Sequence, residues 1–128
     1  MSDLLVVGIS DYKLARHPNV IVTYALGSCV GICLYDKQSK IGGLSHIMLP
    51  ESSMFNKNDI NRMKFADTAI VDLVQELAKL GADRRRLTAK IAGGAQMFEV
   101  QPGSLVGTIG GRNITSVKKT LQSLSIPI

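Results

Sequence analysis

Tryptophan is absent from this chain, and only six of its 128 residues are aromatic, three Tyr and three Phe. A surface that binds single-stranded nucleic acid needs rings interleaved with its cations. The densest basic run, Arg84-Arg85-Arg86, has no ring beside it and reads as a solvated turn. The formal charge of +5 therefore favours acidic partners without naming one. Long apolar runs are missing too, and none approaches the length of a membrane span. The chain starts Met1-Ser2-Asp3, with an acid where a secretory leader carries bases, so a cytoplasmic location is expected.

Cysteine is scarce as well, with two residues, which in such a compartment are expected as thiols rather than a bridge. If the segment between them is extended, Cys29 and Cys33 lie about 13 Å apart at roughly 3.3 Å per residue, too far to share a disulfide or a metal ion. That spacing argues against a zinc site built from Cys29, Cys33, His17 and His46, and no cofactor is expected. The glycines of Gly103 to Gly111 lack both the Gly-Lys-Ser/Thr ending of a phosphate loop and the spacing of a dinucleotide fingerprint. Repeats and low-complexity tracts are missing.

What is present suits one domain, 1–128, since 45% hydrophobic residues supply a single core. Short apolar segments predict strands over Leu4 to Ile9, Val20 to Leu26, Cys29 to Tyr35, Ile41 to Leu49 and Leu87 to Ala92. Asp11 to Asn19 is charged, contains Pro18 and reads as a connection, with His17 as an exposed loop residue. From about Ile60 to Leu80, Phe65, Ala66, Ala69, Ile70, Leu73, Val74, Leu77 and Leu80 recur at three and four, which predicts a helix stopped by Gly81. Asn113 is placed to cap a last helix, about Ile114 to Leu124. Gly93-Gly94 reads as either a tight turn or a site lining. The ending Ser125-Ile126-Pro127-Ile128 resembles the entry to a further strand and suggests a truncated chain.

The stretch from Thr23 to His46 carries the candidate chemistry. Cys29 falls where a turn signal, Gly27-Ser28, meets a strand, and His46 falls on the strand expected to return beside it. A thiol needs about 2 kcal/mol of differential stabilisation to bring its pKa from 8.5 to near 7, which a neighbouring imidazole supplies. The imidazole then returns the proton to a leaving amine, and its second nitrogen needs an orienting acceptor. Thr23 is the nearest candidate, and backbone N–H groups about Gly27, Ser28 and Cys29 are candidate oxyanion donors. Most cysteines and strand histidines are inert packing residues, and spacing alone leaves that alternative open. Cys33, inside an apolar run, is the better candidate for an inert thiol.

Several blocks, in order along nearly the whole chain, carry a resemblance to a known family: Val7-Gly8-Ile9-Ser10-Asp11-Tyr12-Lys13, Leu26-Gly27-Ser28-Cys29-Val30, Gly42-Gly43-Leu44-Ser45-His46-Ile47-Met48-Leu49-Pro50, Ala66-Asp67-Thr68-Ala69-Ile70, Lys90-Ile91-Ala92-Gly93-Gly94-Ala95-Gln96-Met97-Phe98 and Ile109-Gly110-Gly111-Arg112-Asn113. Together they resemble CheD, the chemoreceptor glutamine deamidases. The resemblance implies a cysteine hydrolase with Cys29 as nucleophile, His46 as base and Thr23 as its orienter, acting on receptor glutamines through a thioester with loss of ammonia. It further implies a CheC-type phosphatase as partner. The implied fold is a layered α/β (α+β) sandwich with mixed sheets and flanking helices, similar to the cysteine-hydrolase domain of cytotoxic necrotizing factor toxins. Two other classes compete: a non-catalytic adaptor that binds a CheC-like phosphatase or the receptor with a silent thiol, and a basic nucleic-acid binder.

Overall fold

The computed structural model describes residues 2–54, 61–96 and 109–128. Six strands run in the order β1 (Leu4–Val7), β2 (Asp11–Arg16), β3 (Val20–Thr23), β4 (Val30–Asp36), β5 (Ile41–Ile47) and β6 (Thr88–Gly93), with helix α1 (Ala66–Leu80) between β5 and β6 and helix α2 (Ile109–Ser123) after β6. Among the described residues they form two sheets. One is antiparallel in the order β2-β5-β4-β6, and the other is a parallel pair of β1 and β3. The result is a mixed α+β fold in layers.

Period-two alternation divides the residues of the larger sheet between two faces. Val30, Ile32, Leu34 and Asp36 of β4 are buried, whereas Cys33 and Tyr35 between them are exposed. The buried row faces the helices. Helix α1 buries Ala66, Ala69, Ile70, Leu73, Val74 and Leu77, the stripe that the three-and-four spacing predicts, and Val117 and Leu121 of α2 join the same core. Gly43 of β5 belongs to that row, and Leu73 occupies the space above it, with Cδ1 only 2.7 Å from where a Cβ would stand. The opposite face carries His46 and Gly31, which stand opposite one another across the β4–β5 ladder. Against it lies the two-stranded sheet: the position of a Gly31 Cβ is within 3.7 Å of side chains of both Leu26 and Thr23.

Three expectations need correction. Asp11 to Arg16 is an edge strand rather than a connection, paired with β5 from Asp11↔His46 to Arg16↔Ile41. Its alternation is muted because an edge strand covered on one side needs only Tyr12 and Leu14 against the core. The helix starts at Ala66 instead of near Ile60, a residue outside those described. Asn61 caps a short 3₁₀ turn, Arg62–Lys64, and Phe65 is held extended (φ −110°) by a parallel bridge to Leu49. Gly81 does end the helix, its N–H reaching Leu77 and Ala78 carbonyls. The last helix opens at least five residues earlier than expected, so Asn113 lies inside it and does not cap it. The part of the Gly103–Gly111 run before Ile109 lies outside the described residues.

The basic run is a solvated 3₁₀ turn only in part. Arg86 crosses to the wholly buried Asp36 through two bonds of 3.0 and 2.9 Å, and Arg85 pairs with Asp83. Asp36 also accepts from the N–H groups of Gln38 and Asp83. The Arg86 guanidinium above all holds the Asp36 carboxyl far below the usual carboxylate range, against the opposing effect of desolvation. His17 is exposed, as the sequence predicts. At the other end Ile126 is buried, and the Pro127 carbonyl accepts from Ala89 N–H at the border of β6.

Candidate active site

The β4–β5 and β2–β5 ladders fix where His46 stands, and burial fixes its charge. The side chain is 1% exposed, and desolvation alone lowers its pKa below the ordinary 6.5, so it is neutral at pH 7. Thr23, the last residue of β3, brings its Oγ1 to 2.8 Å from His46 Nδ1. The same hydroxyl donates to the Val7 carbonyl at 2.8 Å. A hydroxyl has one proton, and a carbonyl only accepts, so the Thr23 proton is committed to Val7 and Oγ1 must accept from Nδ1–H. The neutral ring then carries its proton on Nδ1 and leaves a bare lone pair on Nε2. Nε2 is buried and has no hydrogen-bond partner among the described residues. The parallel β1–β3 pair thus sets the imidazole tautomer through Val7 and Thr23.

Cys29 stands one residue before β4, two positions from Gly31, which is paired with His46. Continued strand geometry would make it a diagonal neighbour of the histidine, about 7–8 Å away between α-carbons. The structure therefore brings Thr23 and His46 into direct contact, while the thiol is not hydrogen-bonded to Nε2. The expectation that the imidazole lowers the thiol pKa in the resting protein is also corrected. Desolvation pushes the Cys29 thiol up, opposed by its own backbone N–H, because a neutral ring out of hydrogen-bond contact offers no countercharge. Cys33 is exposed on the same face of β4 as Gly31, opposite Leu44, and both cysteines are free thiols. A groove of about 270 Å³ on that face is lined by Thr23, Leu26, Gly31 and Ala92 among others.

The loop holding the thiol is tied down from one side. Ala95 N–H donates to the Gly27 carbonyl at 2.9 Å, Gly94 N–H to the Cys29 carbonyl at 2.8 Å, and Asn113 Nδ2 to the Ser28 carbonyl at 2.9 Å. Cys29 N–H is used within the loop on the Leu26 carbonyl at 2.8 Å. It is thus withdrawn from the set of expected oxyanion donors. The N–H groups of Gly27 and Ser28 donate to no acceptor among the described residues. The Gly93-Gly94 pair belongs to the site surroundings rather than to a bare turn. Gly93 has φ +98°, and a Cβ there would lie 2.2 Å from the Cys29 carbonyl oxygen. Sequence reasoning missed the role of Asn113 and of Ala95, since both act through bonds to residues far along the chain. Among the described residues no three His, Cys, Asp or Glu side chains are grouped to hold a metal ion.

Two outcomes follow from this geometry. Gly93→Ala should destabilise the fold by about 1–3 kcal/mol from the backbone conformation alone, and more through the collision with Cys29. Urea unfolding measures it, and an unchanged midpoint would mean that the loop moves aside freely. The second outcome concerns acid. A histidine whose folded pKa lies below its unfolded value of 6.5 contributes fully above pH 6.5, and stability falls as pH drops from 6.5 through the lowered folded value. Thermal melts between pH 5 and 7.5 should show that loss, and His46→Gln should flatten it.

The layered α+β fold thus holds an imidazole fixed by a hydroxyl on the strand next to one that opens with a free thiol. The family model described as CheD chemotactic sensory transduction matches residues 48–128. The chain is 48% identical over 128 residues to the Halalkalibacterium halodurans protein named "Chemoreceptor glutamine deamidase CheD", covering 100% of this chain and 79% of that one. It is 55% identical over 122 residues to a Clostridium botulinum protein and 52% identical over 122 to one from Clostridium kluyveri, each named "Probable chemoreceptor glutamine deamidase CheD"; each match covers 95% of this chain and 75% of the relative. The chain belongs to the CheD family.

Proposed function

We propose that this chain deamidates glutamine side chains of chemoreceptors, with Cys29 as nucleophile, His46 as general base and acid, and Thr23 as its orienter. The observation that carries the reading is the Thr23–His46 hydrogen bond taken with the Thr23 bond to Val7, because it leaves Nε2 free to accept a proton. Substrate approach closes the gap between thiol and ring. The thiol proton passes to Nε2, and the sulfur bonds to the amide carbon as the carbonyl electron pair moves onto oxygen. The N–H groups of Gly27 and Ser28, which donate to no acceptor among the described residues, are the proposed donors to that oxyanion. Nε2–H protonates the amide nitrogen, the C–N bond breaks, and ammonia leaves a thioester. Water then gives a proton to Nε2 and its oxygen to the carbon. The C–S bond breaks, the thiol is restored, and glutamate remains.

The chain acts in the cytoplasm, as a single domain related in fold to the cytotoxic necrotizing factor hydrolases, and docks a CheC-type phosphatase as well as receptor helices. The names of its relatives and the charge of +5, suited to acidic helices, support the receptor helices as partner. No helix among the described residues is long and apolar enough to cross a membrane. The test is mass spectrometry of a receptor cytoplasmic fragment incubated with the chain in heavy-oxygen water. Conversion of glutamine to glutamate with one solvent oxygen per site and an equal yield of ammonia is expected. Intact glutamines after prolonged incubation would overturn the reading in favour of a binding adaptor.

A further inference from the structure

Asn113 joins the two halves of the site. It is wholly buried in the second turn of α2, and its Nδ2 spends both protons, one on the Ser28 carbonyl and one on the Met48 carbonyl, each at 2.9 Å. Ser28 precedes the thiol-bearing residue, and Met48 follows His46 by two. Three residues on, Ser116 Oγ donates to the Pro50 carbonyl at 2.6 Å, so the same helix face also holds the exit of β5. The Ser28–Cys29 peptide is planar and trans, and its carbonyl and N–H therefore point in opposite directions. Anchoring the carbonyl on Asn113 fixes the orientation of the whole peptide, including the N–H that reaches Leu26. That peptide is bonded directly to the Cys29 α-carbon.

Both acceptors are carbonyls, so the position requires a group with two protons to give. Aspartate has the same shape and would set an acceptor against two acceptors. Asn113 Oδ1 has no hydrogen-bond partner among the described residues, which is unfavourable for a buried carbonyl. The side chain is thus held for its donors at the expense of its acceptor. We propose that Asn113 is a positioning residue of the deamidase site, setting the distance between the Cys29 loop and the His46 strand. The proposal rests on the deamidase reading for its consequence in turnover, although the brace itself has a readout that needs no substrate.

Asn113→Asp and Asn113→Ala should lower kcat on a receptor fragment by about 10²-fold with KM changed less than about threefold, as expected for a displacement on the order of 1 Å at reacting groups. The substrate-free readout is the alkylation rate of Cys29 against that of Cys33 in the same molecule, followed from pH 6 to 9. Loss of the brace on the Ser28 carbonyl should free the Cys29 loop, so Asn113→Ala should change the Cys29-to-Cys33 ratio severalfold across that range while the Cys33 rate stays constant. A variant that loses stability but keeps both the Cys29-to-Cys33 ratio and its pH profile would overturn the proposal and leave Asn113 a packing residue. Should Asn113→Asp not fold, the ratio in Asn113→Ser decides by the same criterion. Native chain that alkylates as described yet never deamidates would overturn the deamidase reading alone. Deamidation that persists at native kcat in the Asn113 variants would overturn this inference alone.

Discussion

Replacing Cys29 by alanine is expected to remove receptor glutamine deamidation almost entirely, with kcat falling by about 10⁴-fold or more, as befits loss of a nucleophile. Cys33 shares the His46 face of β4 but stands opposite Leu44, away from the Gly27-Ser28 turn whose N–H groups are the proposed oxyanion donors. Cys33→Ala should therefore leave turnover unchanged. His46→Ala should cost a similar factor, because the thiol pKa is raised in the resting protein and little thiolate forms near pH 7 without a base. The two losses should not add. A nucleophile and its base act as a unit, and the double variant should be about as slow as either single one. Thr23→Val keeps the shape at residue 23 but deletes the acceptor for Nδ1–H and should cost less, since the ring keeps its place in the ladder and loses only its fixed tautomer. Steady-state ammonia release measures all five variants. A Cys29→Ala protein that still converts glutamine at a tenth of the native rate would place the nucleophile elsewhere.

The largest effect on stability should come from Leu73→Ala. Leu73 is fully buried and fills the space over Gly43, a residue with no side chain to offer in return. Truncation leaves a cavity whose floor is backbone, so the neighbourhood has little means of collapse. The expected loss is about 3–5 kcal/mol, and in a chain of this size that is roughly 10–20 °C in Tm. The pairing with Gly43 gives a sharper test. In the native protein Gly43→Ala would place a Cβ 2.7 Å from Leu73 Cδ1. With Leu73 shortened, the same methyl enters vacant space. The double variant should be more stable than the sum of the single losses, with a coupling of about 0.5–3 kcal/mol. Urea unfolding of the four proteins measures it. Additive losses would mean that α1 shifts on the sheet to accommodate either change.

The stripe of α1, its stop at Gly81 and the paired strands β4 and β5 follow from local periodicity, because each side chain's burial there depends on residues three, four or two away. The candidate site was legible for the same reason: a turn signal before Cys29 and a returning strand with His46 are local facts. Edge strand β2 was hidden because a strand covered on one side needs few apolar residues. The late start of α1 was hidden because Phe65 is held extended by Leu49, sixteen positions earlier.

By itself the sequence singled out the residues proposed for the chemistry, the stripe that makes the core and the family to which the motifs point. Only the tertiary structure decided that Thr23 must accept from Nδ1, since that depends on its proton being taken by the Val7 carbonyl across the parallel pair. Only the fold, likewise, turned Asn113 from an expected helix cap into a brace between Ser28 and Met48. The physical reason is the same in both cases. Propensity and periodicity report on neighbours along the chain, whereas the destination of a buried proton is set by whichever acceptor folding brings within about 3 Å.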